Sequence, residues 1–153
     1  MRSRLSVAAF VLVATTSPAP AAESPVVHLS PAPAETVREI HAALVLAHAR
    51  LEARDVPGVL AHVSEQYRSG IWTKPEVRRQ LVGFLQLCDT VRAKVRIDSV
   101  HVADRGGVWV YTTGEISGRV ALLGSWVTLL SWEKEPEVAR REGTSWRLFG
   151  FQQ

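Results

Sequence analysis

Cysteine is almost absent from this chain of 153 residues: Cys88 stands alone. No internal disulfide is possible, so stability has to come from a packed core. A lone Cys at the apolar end of a helix reads as a small buried hydrophobe rather than a nucleophile. Long hydrophobic runs are missing too. The N-terminal apolar run, Leu5 to Ala14, is roughly half the ~20 residues that a membrane span needs, and no other segment qualifies. Excess charge of one sign is also lacking. Removing Arg2 and Arg4, which precede that run, from the 18 Lys and Arg leaves 16 against 15 Asp and Glu. A net charge of about +1 is too small to imply a nucleic-acid partner. Hydrophobic content of 46% with 22% charged residues excludes wholesale disorder, and the length fits one domain.

What is present begins with a targeting layout. Arg2 and Arg4 supply a positive start, Leu5 to Ala14 an apolar centre, and Ala19-Pro20-Ala21 a small-residue cleavage site. Residues 1–21 therefore read as a signal peptide, and the mature protein is expected to be secreted or periplasmic. Residues 22–34 form a Pro/Ala-rich linker, expected to be extended and weakly ordered. The folded domain is expected over 35–153.

The domain opens on a helical period. Val37, Ile40, Leu44, Ala47 and Leu51 draw one apolar stripe over a helix from about Thr36 to Arg54, with Thr36 and Glu39 at capping-box spacing. Asp55-Val-Pro-Gly then suggests a capped short helix from about Pro57 to Val63. Thr73 and Glu76, with Pro75 between them, open a third helix to about Cys88. His41, His48 and His62 are the residues to weigh for zinc. The seven-residue step between the first two separates them by roughly 10 Å along the axis, and no metal site is expected.

From Thr90 the period changes to alternation. Val91, Ala93, Val95 and Ile97 alternate with Arg92, Lys94, Arg96 and Asp98, and the phase slips at Ser99, as a bulge would cause. Acids interleave the basic residues, which fits a solvated charged face. A turn at Asp104-Arg105-Gly106-Gly107 leads into two strand-like runs. Trp109, Tyr111, Thr113, Glu115 and Ser117 share one face by alternation, as do Trp126, Thr128, Leu130 and Trp132 in the next run. Pro136 to Gly143 reads as a charged connection, and Thr144 to Gln152 as a final strand. Three helices followed by a four-stranded antiparallel meander indicate an α+β fold with the helices on one face of the sheet.

This order of elements, with the segment Val63-Ser-Glu-Gln-Tyr-Arg-Ser-Gly70 and the ending Ser145-Trp-Arg-Leu-Phe-Gly150, resembles the nuclear transport factor 2-like superfamily. Trp146 to Leu148 is similar to that family's usual last strand. The resemblance covers about Glu35 to Phe151. It implies three N-terminal helices packed on a strongly curved, mainly antiparallel sheet that forms a cone with a central pocket. The superfamily includes ketosteroid isomerases, polyketide cyclases, epoxide hydrolases, dehydratases, export adaptors and secreted bacterial proteins without assigned activity. The chain is most similar to the last group, among SnoaL-like proteins, so fold does not settle function.

Catalytic members use carboxylates, Tyr or His in the cone. The corresponding catalytic candidates are Glu115, Tyr111 and His101, with Asp98, Tyr67 and Arg119 also considered. If the face of Trp109 and Tyr111 looks inward, Glu115 is a carboxylate among aromatic walls, suited to moving a proton. If it looks outward, Glu115 is solvated or paired. No Asp dyad, Tyr–Asp pair or Asp–Arg–Asp arrangement can be matched. Tyr67, Trp72, Trp109, Trp126 and Trp132 are candidates for lining a ligand pocket, for filling the core, or for pairing two sheets in a homodimer. The leading reading is a secreted domain that binds a small apolar or amphipathic ligand or a protein partner, without a cofactor. The alternative is an isomerase-, dehydratase- or cyclase-type enzyme with a cavity carboxylate as proton shuttle.

Overall fold

The computed structural model describes residues 27–104 and 106–150; the expected signal peptide and its cleavage site lie outside them. In chain order the elements are β1 (Leu29–Pro31), α1 (Ala34–Glu52), α2 (Val56–Leu60), β2 (Arg68–Ser69), β3 (Trp72–Thr73), α3 (Lys74–Leu87), β4 (Cys88–Ala103), β5 (Val108–Val120), β6 (Trp126–Glu142) and β7 (Ser145–Leu148). Five strands form one antiparallel sheet in the order β1-β4-β5-β6-β7, and β2 and β3 make a separate hairpin. No helix among the described residues is long and apolar enough to cross a membrane.

The helices start where local chemistry sets them, with one exception. At α2, the Asp55 side chain accepts from the Gly58 N–H at 2.9 Å, as its cap position predicts. At α3, the Thr73 N–H donates to Glu76 at 3.2 Å, completing the expected capping box. At α1 the Thr36–Glu39 box does not form. The helix begins earlier, with Pro33 in the cap position and no side-chain cap. Glu39 is engaged elsewhere: it accepts from the Trp146 indole at 2.7 Å and from Arg141 at 3.3 Å. A long-range partner has taken the side chain that a local cap needed.

Two regions expected to be irregular are strands. Leu29–Pro31, within the expected linker, pairs with His101 to Ala103 of β4. A proline is tolerated there because β1 is an edge strand. The expected charged connection from Pro136 onward is the second half of β6. Pro136 fits because the partner strand β7 begins pairing only at Ala139, so one side of β6 has no ladder to lose at Pro136.

Bulges shape the sheet. The slip foreseen near Asp98 is present between Ile97 and Ser99. Two more interrupt β5–β6: Ile116 and Ser117 face Leu130 and Thr128, and Thr112 and Gly114 face Glu135 and Trp132. At the second, Lys134 takes a left-handed backbone (φ 49°) and its N–H donates to the Thr113 hydroxyl at 3.0 Å. Each extra residue bends the strand, increases its twist and reverses which face the following side chains occupy. The result is a curved sheet that wraps the helices as a cone.

The faces follow from these registers. On β5, Val108, Val110, Thr112 and Ile116 are buried and turn toward the helices. Leu130 and Trp132 join them as partners of Ile116 and Gly114, whereas Trp126 and Thr128 lie beside Arg119 and Ser117 on the outer face. The four β6 residues expected on one face are thus split by the bulge at Leu129. Two apolar clusters result. One joins α3 to β4–β6 through Val77, Leu81, Leu85, Cys88, Val91, Leu130 and Trp132. The other joins α1 to the sheet through Ile40, Val100, Val108, Val110 and Ala139. Leu130, at 2% exposed, contributes about 1.5–3 kcal/mol by that burial.

Candidate functional site

Between α1 and the sheet, where the two clusters meet, lies a cavity of about 100 Å³. Its apolar wall comes from Ile40, Ala43, Leu44 and Ala47 of α1 and from Val95, Val110 and Ala139 of the sheet. Six side chains with polar atoms line it: His48, His62, Thr112, Glu137, Trp146 and Arg147. They come from separate parts of the chain, and backbone bonds fix two of them together. The Leu148 N–H donates to His62 O at 2.8 Å and the Ser64 N–H to Leu148 O at 2.9 Å. These bonds clamp β7, and with it Arg147, onto the segment after α2.

Glu137 is the centre of this site. It is buried at 4% exposure, and neither carboxyl oxygen has a hydrogen-bond partner among the described residues. The register places it opposite Val110 on the inner face. Burial pushes its pKa up to about 8, assisted by the charge of Glu135. At neutral pH it mainly keeps its proton, yet releases it under mildly alkaline conditions. A carboxyl so poised is suited to giving and taking protons. The adjacent groups are tuned in the complementary sense. Burial lowers the pKa of His48, only partly offset by Glu52, and that of His62, reinforced by Arg50 and Arg147. Both imidazoles therefore favour the neutral form. Thr112 is held by the buried Trp132, whose indole N–H donates to its hydroxyl at 3.0 Å.

The candidates picked from the sequence lie elsewhere. Glu115 is exposed on the outer face and accepts from the Ser117 hydroxyl at 2.6 Å. Tyr111 and His101 are brought together, ring centroids 5.7 Å apart and edge-on, but on the same outer side. Trp109 pairs with His101 there. Alternation was read correctly on β5; the inward face is the one carrying Val110 and Thr112, because the small and aliphatic side chains pack under the helices. Trp126, 40% exposed, carries the Arg92 guanidinium 4.2 Å above its ring. Trp72 is half-buried at the hairpin that precedes α3. Tyr67 is buried in the core, its phenol pKa raised by burial and by the Glu137 carboxyl. Trp132 acts through Thr112. None of these eight residues lines the cavity. Asp98 accepts from Thr113 at 2.6 Å, and Arg119 pairs with Asp89 at 2.8 Å.

Of the histidines, the structure brings His48 and His62 to one cavity and leaves His41 out of it. Among the described residues no three His, Cys, Asp or Glu side chains converge as metal ligands. Cys88 is buried, and burial raises its pKa, as for an inert core thiol.

No protein-family model matches the chain, and no curated protein matches it in sequence. Solved structures do. Aln2 from a Streptomyces species superposes with a TM-score of 0.61 at 14% identity, over 79% of this chain and 90% of that one. A ketosteroid isomerase-like protein from Erwinia carotovora atroseptica gives 0.57 at 17% identity, over 76% and 93%. A candidate dehydratase of the nuclear transport factor 2-like family from Streptomyces avermitilis gives 0.58 at 17%, over 77% and 94%. At these identities the likeness is one of fold, and the fold is the nuclear transport factor 2-like cone.

Proposed function

We propose that this chain of nuclear transport factor 2-like fold is a proton-transfer enzyme of the isomerase or dehydratase type. Glu137 passes a proton to or from a compact, largely apolar substrate held between α1 and the sheet. The observation that carries this reading is the buried, unpaired carboxyl of Glu137, a residue that lines an apolar cavity. A structural carboxyl would be expected to have hydrogen-bond partners there, since leaving one unsatisfied costs about 1–3 kcal/mol or more. The names of the similar folds, isomerase-like and dehydratase, belong to those proteins and agree with this chemistry. Neutral His48 or His62 can relay the proton, and the apolar wall excludes water that would compete for it.

The same cavity also supports the simpler reading of a ligand carrier, because its lining is mainly aliphatic. We place either activity in an exported protein, on the layout of residues 1–21. We also assign a homodimer to the outer sheet face, which displays Trp109, Tyr111 and His101. A panel of small cyclic ketones and hydroxyketones in D2O, followed by NMR for deuterium uptake or loss of water, tests the enzymatic reading. The wild type is expected to accelerate one of these reactions, and Glu137→Gln to slow it by about 10²–10⁴-fold. Saturable binding without turnover would leave the carrier reading, and equal rates in both proteins would remove Glu137 from the chemistry.

A further inference from the structure

Of the ten large apolar side chains exposed among the described residues, five gather at one end of the molecule: Leu87, Leu122, Leu123, Trp126 and Val127. Leu122 is 96% exposed and Leu123 73%, both in the turn that joins β5 to β6. Backbone bonds hold this apex in shape. The Leu123 and Gly124 N–H groups donate to Val120 O at 3.1 and 2.8 Å, and the Val120 N–H donates to Ser125 O at 3.0 Å. Gly124 supplies the left-handed φ of 64° that the turn requires. The Ala121 N–H donates to Leu87 O at 3.4 Å, which ties the apex to the end of α3 and sets exposed Leu87 beside it. Single apolar residues on a surface are ordinary; a cluster held out by its backbone marks an interaction site.

The charges bordering the apex are mainly positive. From Val120 to Trp132 the chain carries no charged residue. On the outer face, the Arg92 guanidinium lies 4.2 Å over the Trp126 ring, and Arg92 makes no ion pair among the described residues. Arg119 bonds Asp89 at 2.8 Å, and Arg54 donates to Leu85 O and Cys88 O at the end of α3. Lys94 and Glu115, paired in register further along the strands, cancel each other. Three arginines against one aspartate leave this end with a charge of about +2.

We propose that this end of the protein docks on an anionic phospholipid bilayer. Leu122, Leu123 and Leu87 enter the boundary of the acyl chains, Trp126 lies at headgroup level, and Arg92 meets the phosphates. Apolar area and basic charge act together in binding of this kind, and tryptophan favours the interface. A second copy facing this end would set arginine against arginine, whereas an anionic surface complements them. None of these residues lines the cavity under α1, so the proposal stands apart from the proton-transfer reading.

A polarity-sensitive dye attached to Leu122→Cys in the full chain reports on the apex itself, and buried Cys88 stays unlabelled. Vesicles of phosphatidylglycerol and phosphatidylcholine in equal parts are expected to shift the dye emission to the blue. They should bind at least about tenfold more tightly than vesicles of phosphatidylcholine alone. High salt should remove that preference, and Arg92→Gln should weaken binding by about fivefold. Replacing both apex leucines, Leu122→Ser with Leu123→Ser, should lower partition at least about tenfold. Both side chains are exposed, so the fold should persist, as circular dichroism can confirm. Residues ahead of the domain are common to every variant, so these differences belong to the apex. An equal dye shift on both vesicle types, or no shift on either, would overturn the proposal. So would a shift that grows with protein concentration in the absence of vesicles, which would mark a second copy as the partner.

Discussion

Glu115 and Glu137 lie on neighbouring strands of one sheet and meet opposite fates. Glu115, on the outer face of β5, is exposed and satisfied by Ser117. Glu137, on the inner face of β6, is buried without a partner, and its pKa rises to about 8. The residue type is the same; the face of the sheet supplies the chemistry. A carboxylate on the wet face keeps its hydration, and one under a helix loses it and holds its proton instead. The outer face also carries aromatic and basic side chains, including Trp109, Tyr111, Trp126 and Arg92.

The largest effect expected from this contrast is on stability against pH. An unfolded glutamic acid loses its proton near 4.5, whereas folded Glu137 keeps it to about 8. The folded state therefore binds the extra proton, and the associated stability, complete below pH 4.5, is lost as the pH rises to about 8. The slope is about 1.4 kcal/mol per pH unit. His48 and His62 act in the opposite sense, because their lowered values cost stability as the pH falls below 6.5. Urea titrations between pH 6.5 and 8 isolate the carboxyl: the wild type should weaken across that window, and Glu137→Gln should stay level. A level wild-type profile would contradict the buried, proton-holding carboxyl.

A smaller effect is expected where the strand β5 passes close under Trp132. A Cβ on Gly114 would stand 2.5 Å from the Trp132 ring and 2.8 Å from the Lys94 carbonyl. Gly114→Ala should cost about 1–3 kcal/mol by overpacking. It should also shift tryptophan fluorescence, because Trp132 must move away from the Thr112 hydroxyl it holds at 3.0 Å. Unchanged emission with unchanged urea midpoint would show that this contact has slack. The smallest effect belongs to the outer carboxylate. Glu115→Gln should change stability by less than about 0.5 kcal/mol and leave turnover and ligand binding as they are. Loss of activity there would reverse the comparison between the two faces.

Much of the fold was legible because it is written in local chemistry. The α3 capping box, the Asp55 cap, the helical stripe of α1 and the phase slip at Asp98 each involve residues a few positions apart. The strand β1 was hidden in a proline-rich segment because pairing with β4 depends on an edge 70 to 74 residues away. Glu137 was hidden for a sharper reason. It sits in a run of Glu, Lys and Pro that reads as a polar connection, and extrapolating the alternation from Trp132 would turn it outward. The extra residue at Lys134 reverses the phase and turns Glu137, Ala139 and the rest of β6 to the other face. A left-handed lysine backbone has no clear signature in sequence. Strong polar residues following a tryptophan near the end of a long strand were the one available hint.

By itself, the sequence determined the α+β order, the helix starts at α2 and α3, the alternation of β4 and β5, and the absence of disulfides, because those depend on short-range periodicity and composition. The tertiary structure decided which face of the alternation is inside, since that follows from where α1 and α3 pack and from two single-residue bulges. It is that decision, one residue of register at Lys134, that places a carboxyl in the buried interior beneath the helices.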